Sequence, residues 1–263
     1  MRRIRALLKK ELLDLVRNRT ALVPVVIVVL MSLTLPFLIV IGIPLLTGET
    51  LGGDVDLVRV SAVAQAGDLS EEGRIQVFLF QQFLMLFLLT PVTGAMALAA
   101  HSVVGEKQGR TLEPILATPI GTIELLVAKV IGALLPTLAI SLAGVFLYFV
   151  GIYALAAPGV PGAMMSARSA LLTFLVGPAA ALVSLQSAIV ISSRVNDART
   201  AQQFGVLIII PLTVLLVAQF IGSMWLSTAA LALIGLGLLA VWALLTVVSA
   251  AVFDREAILT KWR

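Results

Sequence analysis

Cysteine is absent from this 263-residue chain and histidine occurs once, at His101. That excludes disulfides and thiolate metal sites, and a single imidazole does not build a histidine-rich one. Charge is sparse as well: 12% of residues are Asp, Glu, Lys or Arg, against about a quarter in a soluble domain. No G-x-x-x-x-G-K-[ST] string occurs, so the chain carries no phosphate-binding P-loop, and there is no H-E-x-x-H. A Ser–His hydrolase would need its imidazole inside the membrane, whereas His101 stands at the end of an apolar run, where an interfacial hydrogen-bonding role fits best. The apolar runs hold no Asp, Glu, Lys or Arg at mid-depth. Gradient-driven transporters usually need one there, because an intramembrane ionisable group couples the ion to the movement.

What is present is apolar length. Hydrophobic residues make up 60% of the chain and the mean hydropathy is +1.11. Six runs, at roughly 20–46, 75–104, 123–157, 169–192, 204–224 and 227–253, are each long enough to cross a bilayer at about 20 residues per span. Lipid forces every backbone polar group to be paired within its own helix. The expectation is an all-α integral membrane protein, with one six-span domain over 20–263 behind an amphipathic helix at 1–19. Lys and Arg set its orientation. Both termini and the connections after spans 2 and 4 carry fifteen of the 18, and the opposite side holds only Arg59, Arg74 and Arg168. The positive-inside rule makes the richer side, with both termini, cytoplasmic. Net charge +4 and pI near 9.9 then report topology and contact with anionic membrane lipid, not nucleic acid.

Residues 1–19 place Ile4, Leu8, Leu12, Leu15 and Val16 on one broad face, with Arg3, Lys9, Lys10 and Arg17 mostly opposite. This is the pattern of a helix lying in the cytoplasmic interface. A signal peptide is the competing reading, but the apolar run that follows is too long for an h-region of about 7–15 residues. Pro36 in span 1, Pro136 in span 3, Gly177-Pro178 in span 4 and Pro211 in span 5 mark expected bends. The acidic connection over 47–74 reads as a solvated loop, or more sharply as a cation-collecting mouth, and 158–168 reads as a turn without evident chemistry. Gln81, Gln82, Gln186 and Gln219 are the strongly polar side chains expected deep in spans. They suit either interhelical hydrogen bonds or the lining of a substrate path.

The longest polar interruption expected on the cytoplasmic side is 105–129, GEKQGRTLEPILATPIGTIELLVAK. Thr111 is a good N-cap, Glu113 falls in the first turn, and Pro114 is tolerated there. Pro119 ends the unit, Gly121 permits a sharp turn, and Thr122 can cap the next helix with Glu124 in its first turn. Leu112, Ile115 and Leu116 share one face. A two-turn helix with an apolar stripe is not stable alone in water, so it must dock on the bilayer surface or on another protein.

The ordered string G-E-K-Q-G-R-T-L-E-P-I-L-A-T-P-I followed by E-L-L-V-A-K resembles the signature of ABC-2 type permeases, the membrane subunits of ATP-driven exporters. The opening K-E-L-L-D-L-V-R-N-R and the closing F-D-R-E-A-I-L are similar to that family's ends. The resemblance implies a coupling helix between spans 2 and 3, seated on a separate nucleotide-binding subunit. By position, Glu106, Arg110, Thr111, Leu112, Glu113, Leu116, Thr118 and Pro119 would make or shape that contact. Leu112, Ile115 and Leu116 are then the apolar knobs, and Glu106, Lys107, Arg110 and Glu113 a polar rim that fixes register. Pro114 and Pro119 stiffen the unit, and the 1–19 helix flanks the ATPase.

The resemblance also implies a permease in the cytoplasmic membrane, without its own ATPase site. ATP and Mg would be held by the partner ATPase, with no cofactor in this chain, and a second permease copy or a related chain would complete the path. The E-A-A motif of importers is missing, which favours export. Two other classes remain open: a gradient-driven secondary transporter, and a non-transporting scaffold or sensor subunit of an ATPase complex.

Overall fold

Prolines decide where the first span changes its winding. In the computed structural model, which describes residues 19–62, 67, 69–108, 122–194 and 225–252 with single positions between 200 and 221, α1 (Arg19–Phe37) leads into a π-helical turn at Leu38–Gly42 and then α2 (Ile43–Thr47). The Ile43 N–H reaches back five residues to the Leu38 carbonyl, and Pro44 follows at the start of α2. Proline has no N–H to return to the carbonyl four residues earlier and its ring crowds that oxygen, so a wider turn relieves both problems. Gly48, left-handed at φ 71, closes α2 by donating to the Pro44 carbonyl.

The 47–74 connection contains a short 3-10 turn, Leu51–Gly53, and α3 (Val55–Ser61). Its acids serve helix starts. The Asp54 carboxylate accepts from the N–H groups of Asp56 and Leu57 at 2.9 and 3.2 Å. Ser70 caps α4 (Glu71–Leu86), which carries Glu71 and Glu72 in its first turn, where the helix dipole favours negative charge.

A break at Phe87-Leu88 separates α4 from α5 (Leu89–Gln108). Pro91 explains it, because it has no N–H for the Phe87 carbonyl, which instead accepts from Thr90 N–H at 3.1 Å. In α6 (Thr122–Leu155) Pro136 lies inside a continuous 34-residue helix, about 51 Å long at 1.5 Å per residue. The short α7 (Val160–Met164) and α8 (Ala167–Leu171) follow, then a second π-helical turn, Leu172–Val176, and α9 (Gly177–Arg194). This turn repeats the device of the first span, since Gly177 donates five residues back to Leu172 and Pro178 comes next. The chain closes with α10 (Thr228–Val252), capped by Ser227.

Five helices among the described residues are long and apolar enough to cross a membrane: Val25–Thr47, Glu71–Ala99, Val127–Leu155, Ala167–Ser192 and Thr228–Ser249. The expected span at 204–224 lies mostly outside the described residues, as does the amphipathic segment 1–18. The described residues contain no strand. Glu71–Ala99 is the central span, with 89% of an 18-residue stretch of it buried, against 17% in Val25–Thr47 and 11% in Thr228–Ser249. α9 packs most extensively on α5 and then on α10, with α1 and α6 also against α5. The outer faces of α1, α6 and α10 expose Leu, Val, Ile and Phe side chains, which only an apolar surrounding accommodates at low cost.

An aromatic group sits where α1, α4 and α6 meet. Tyr148 on α6 lies 5.3 to 5.9 Å, ring centre to ring centre, from Phe37, Phe80 and Phe87. Its hydroxyl donates to the Phe80 carbonyl at 2.7 Å, which satisfies the one polar atom in the group.

Candidate functional site

Two regions are candidates for function, one towards each end of the bundle. At one end, α5 runs unbroken to Gln108 and α6 begins at Thr122, so the expected docking segment joins the ends of two long helices. Glu106 and Lys107 fall in the last turns of α5. Arg110, Thr111, Leu112, Glu113, Ile115, Leu116, Thr118 and Pro119 lie outside the described residues. Glu124 lies in the first turn of α6, and Lys129 on the same helix is buried.

The four glutamines are all buried but do not share one place. Gln186 on α9 donates to the Ser249 hydroxyl on α10 at 2.6 Å, an interhelical bond far from the other three. Gln82 on α4 donates to the Gln219 backbone carbonyl at 3.3 Å. The Gln219 side-chain oxygen accepts from Arg168 at 3.1 Å. Gln81 lines a cavity next to these groups, and its Oε1 has no hydrogen-bond partner among the described residues. Gln76, one turn earlier, is also buried and accepts from the Ala157 N–H at 2.8 Å, tying α4 to the end of α6.

Arg168 is the residue that the sequence misplaced. It was expected at the end of a turn without evident chemistry, and instead it lies buried in α8 at 6% exposure. Its guanidinium donates to the Leu226 carbonyl and to Gln219, and stands 3.9 Å from the centre of the Trp225 ring. Trp225 in turn stacks on Phe78 of α4 at 5.9 Å. An isolated buried charge costs several kcal/mol, and here carbonyl dipoles and a cation–π contact offset part of that. The Arg168 Nε has no partner, and no carboxylate pairs with the group among the described residues. The partners that bury it come from positions 219–226, more than fifty residues away in sequence, so nothing local signals them.

The adjoining half-open cavity has a volume of about 500 Å³ and lies between α4, α8 and the start of α10. It opens at the end of the bundle that carries the 47–74 and 156–166 connections. A second, water-sized space of about 20 Å³ lies between Pro91, Ser141, Thr173 and Pro178, beside the break in α4–α5 and the second π turn.

Long apolar helices, exposed apolar flanks and a central span studded with buried amides define a multi-pass helical membrane protein. The chain belongs to the ABC-2 family of transporter proteins, whose model matches residues 5–254. It is thus a membrane permease of the ABC type, a class of transport subunits that normally works with an ABC ATPase subunit. No curated protein matches the chain.

Proposed function

We propose that this chain is the permease subunit of an ATP-driven exporter in the cytoplasmic membrane, with both termini cytoplasmic, and that a separate ATPase drives it through the 105–121 segment. The single observation that carries the reading is that α5 runs unbroken to Gln108 and α6 starts at Thr122, so the segment links two continuous helices. A continuous helix transmits a displacement along its axis, whereas a flexible loop absorbs it. α5 belongs to the central span, so a push on the segment reaches the core of the bundle first.

Leu112, Ile115 and Leu116 supply the apolar contact with the ATPase. Glu106, Lys107, Arg110 and Glu113 set its register, and Thr111, Thr118 and Pro119 shape the unit. ATP and Mg are bound by the partner, and a second copy or a related permease completes the substrate path. Gln81, Gln82 and Gln219 face that path's far end, while Gln186 holds α9 to α10. The break at Phe87-Leu88 and the π turn at Leu172–Val176 are the bending points. Gly177 packs close to Leu88, with a β-carbon there 3.4 Å from its Cδ2, so the two bends move together.

Leu116→Asp tests the docking role, because it puts a charge into the apolar contact without touching a span. Expression and membrane insertion stay as in the parent, and pull-down of the co-expressed ATPase falls at least tenfold. Association at the parental level in that variant contradicts the role given to the segment.

A further inference from the structure

We infer that the cavity beside Arg168 is a binding site for an anionic amphiphile, with the acid group held by the Arg168 guanidinium and the Gln81 amide and the apolar part against Trp225 and Val77. At about 500 Å³ the space is far larger than a water needs and lies within the range of small-molecule sites. Its polar contributors arrive from three distant stretches of chain: Gln81 on α4, Arg168 on α8, and Ser227 and Thr228 at the start of α10.

Each contributor suits negative charge. Arg168 is buried with only neutral acceptors and an indole ring to offset it, and its Nε is unpaired among the described residues. Gln81 is equally buried at 6% exposure, and its Oε1 is unpaired. Rotation of the terminal amide by half a turn presents its NH₂ donors in the same place. The 25-residue α10 points its N-terminal end, which carries partial positive charge, at the same space.

The walls decide the rest of the ligand. Val77, Ala163, Ala167, Trp225 and Leu226 are apolar. A bare inorganic anion would leave these walls wet, and a purely apolar guest would leave the guanidinium Nε and the Gln81 amide unpaired. A molecule with an acid group on an apolar body satisfies both. An acidic bilayer lipid and an amphiphilic solute share that chemistry. The inference stands apart from ATPase coupling, because binding is read without nucleotide or partner.

The test uses the full chain in phosphatidylcholine nanodiscs, with Trp242→Phe and Trp262→Phe so that Trp225 alone reports. Dodecyl phosphate is expected to change the Trp225 emission saturably, while dodecyl maltoside and dodecyltrimethylammonium leave it flat. Arg168→Gln raises the half-saturation point at least tenfold and Gln81→Leu at least fivefold. Phosphatidylglycerol added to the nanodisc shifts the dodecyl phosphate curve to higher concentration where an acidic lipid is the natural occupant, and leaves it in place where a solute is; either result upholds the site and assigns its source. Equal responses to all three amphiphiles, or a Gln81→Leu variant that titrates like the parent, overturns the inference. If Arg168→Gln fails to insert, Gln81→Leu decides alone, since Gln81 makes no hydrogen bond to the arginine.

Discussion

A β-carbon at position 151 would meet the Phe37 ring at 2.4 Å, inside the aromatic group that joins α1 to α6. Phe37 is itself held by Phe80 and Tyr148 at 5.6 Å each, so it has little room to yield. Gly151→Ala is expected to destabilise the bundle by about 1–3 kcal/mol, the usual range for overpacking, read as a lower midpoint in thermal unfolding in detergent. The Gln186–Ser249 pair makes a second prediction from an asymmetry. Gln186 Oε1 is already unpaired, so Gln186→Met trades that oxygen for an unpartnered Ser249 hydroxyl, which can turn to a carbonyl of its own helix, and changes stability by less than about 1 kcal/mol. Ser249→Ala leaves the amide nitrogen buried without its acceptor and costs more, about 1–3 kcal/mol. The ordering of the two midpoints is the check.

Residues of this kind were only half legible beforehand. That the glutamines would be buried followed from their place in apolar runs. That Gln186 would part company with Gln81, Gln82 and Gln219 did not, because the separation depends on which helix each one faces. Arg168 was misread for a related reason: a charge at the edge of an apolar run normally marks the water boundary, and only contacts with Gln219, Trp225 and Leu226 hold it inside.

At the scale of elements, periodicity and punctuation carried most of the information. Pro136, read as a bend, lies inside a helix that continues without a break, whereas the start of α6 beside Thr122, its length and a disturbance at Gly177-Pro178 were visible as sequence. The form of the disturbance was not. Proline specifies a missing donor, and whether the helix answers with a kink, a break or a π turn depends on what packs beside it. In this chain Pro91 gives a break, and Pro44 and Pro178 each follow a π turn. The unbroken run of α5 to Gln108 yields the prediction at this scale. Replacing Val103 and Val104 with glycine costs the helix about 1 kcal/mol per residue and softens it just ahead of the docking segment. ATPase association should persist, while cargo-stimulated ATP turnover falls at least threefold. Parental stimulation in that variant would mean that this end of α5 is not the transmitting element.

The described residues form a central span, 71–99, interrupted at Phe87-Leu88 and packed on by helices whose outer faces suit lipid. Among the described residues the buried charged side chains are Lys129 and Arg168, and the apolar runs of the sequence hold no Asp, Glu, Lys or Arg at mid-depth, where gradient-driven transporters usually carry one. Membership of the ABC-2 family supplies the alternative, an ATPase acting from outside the chain. The comparison that tests this most directly is uphill flux in sealed vesicles of an amphiphile identified by its stimulation of ATP turnover, with the chain alone under an imposed proton or sodium gradient and with the chain plus its co-purified ATPase and ATP. The account predicts accumulation against the gradient only in the second case, and its loss with Leu116→Asp. Accumulation by the chain alone, driven by either ion, would contradict it.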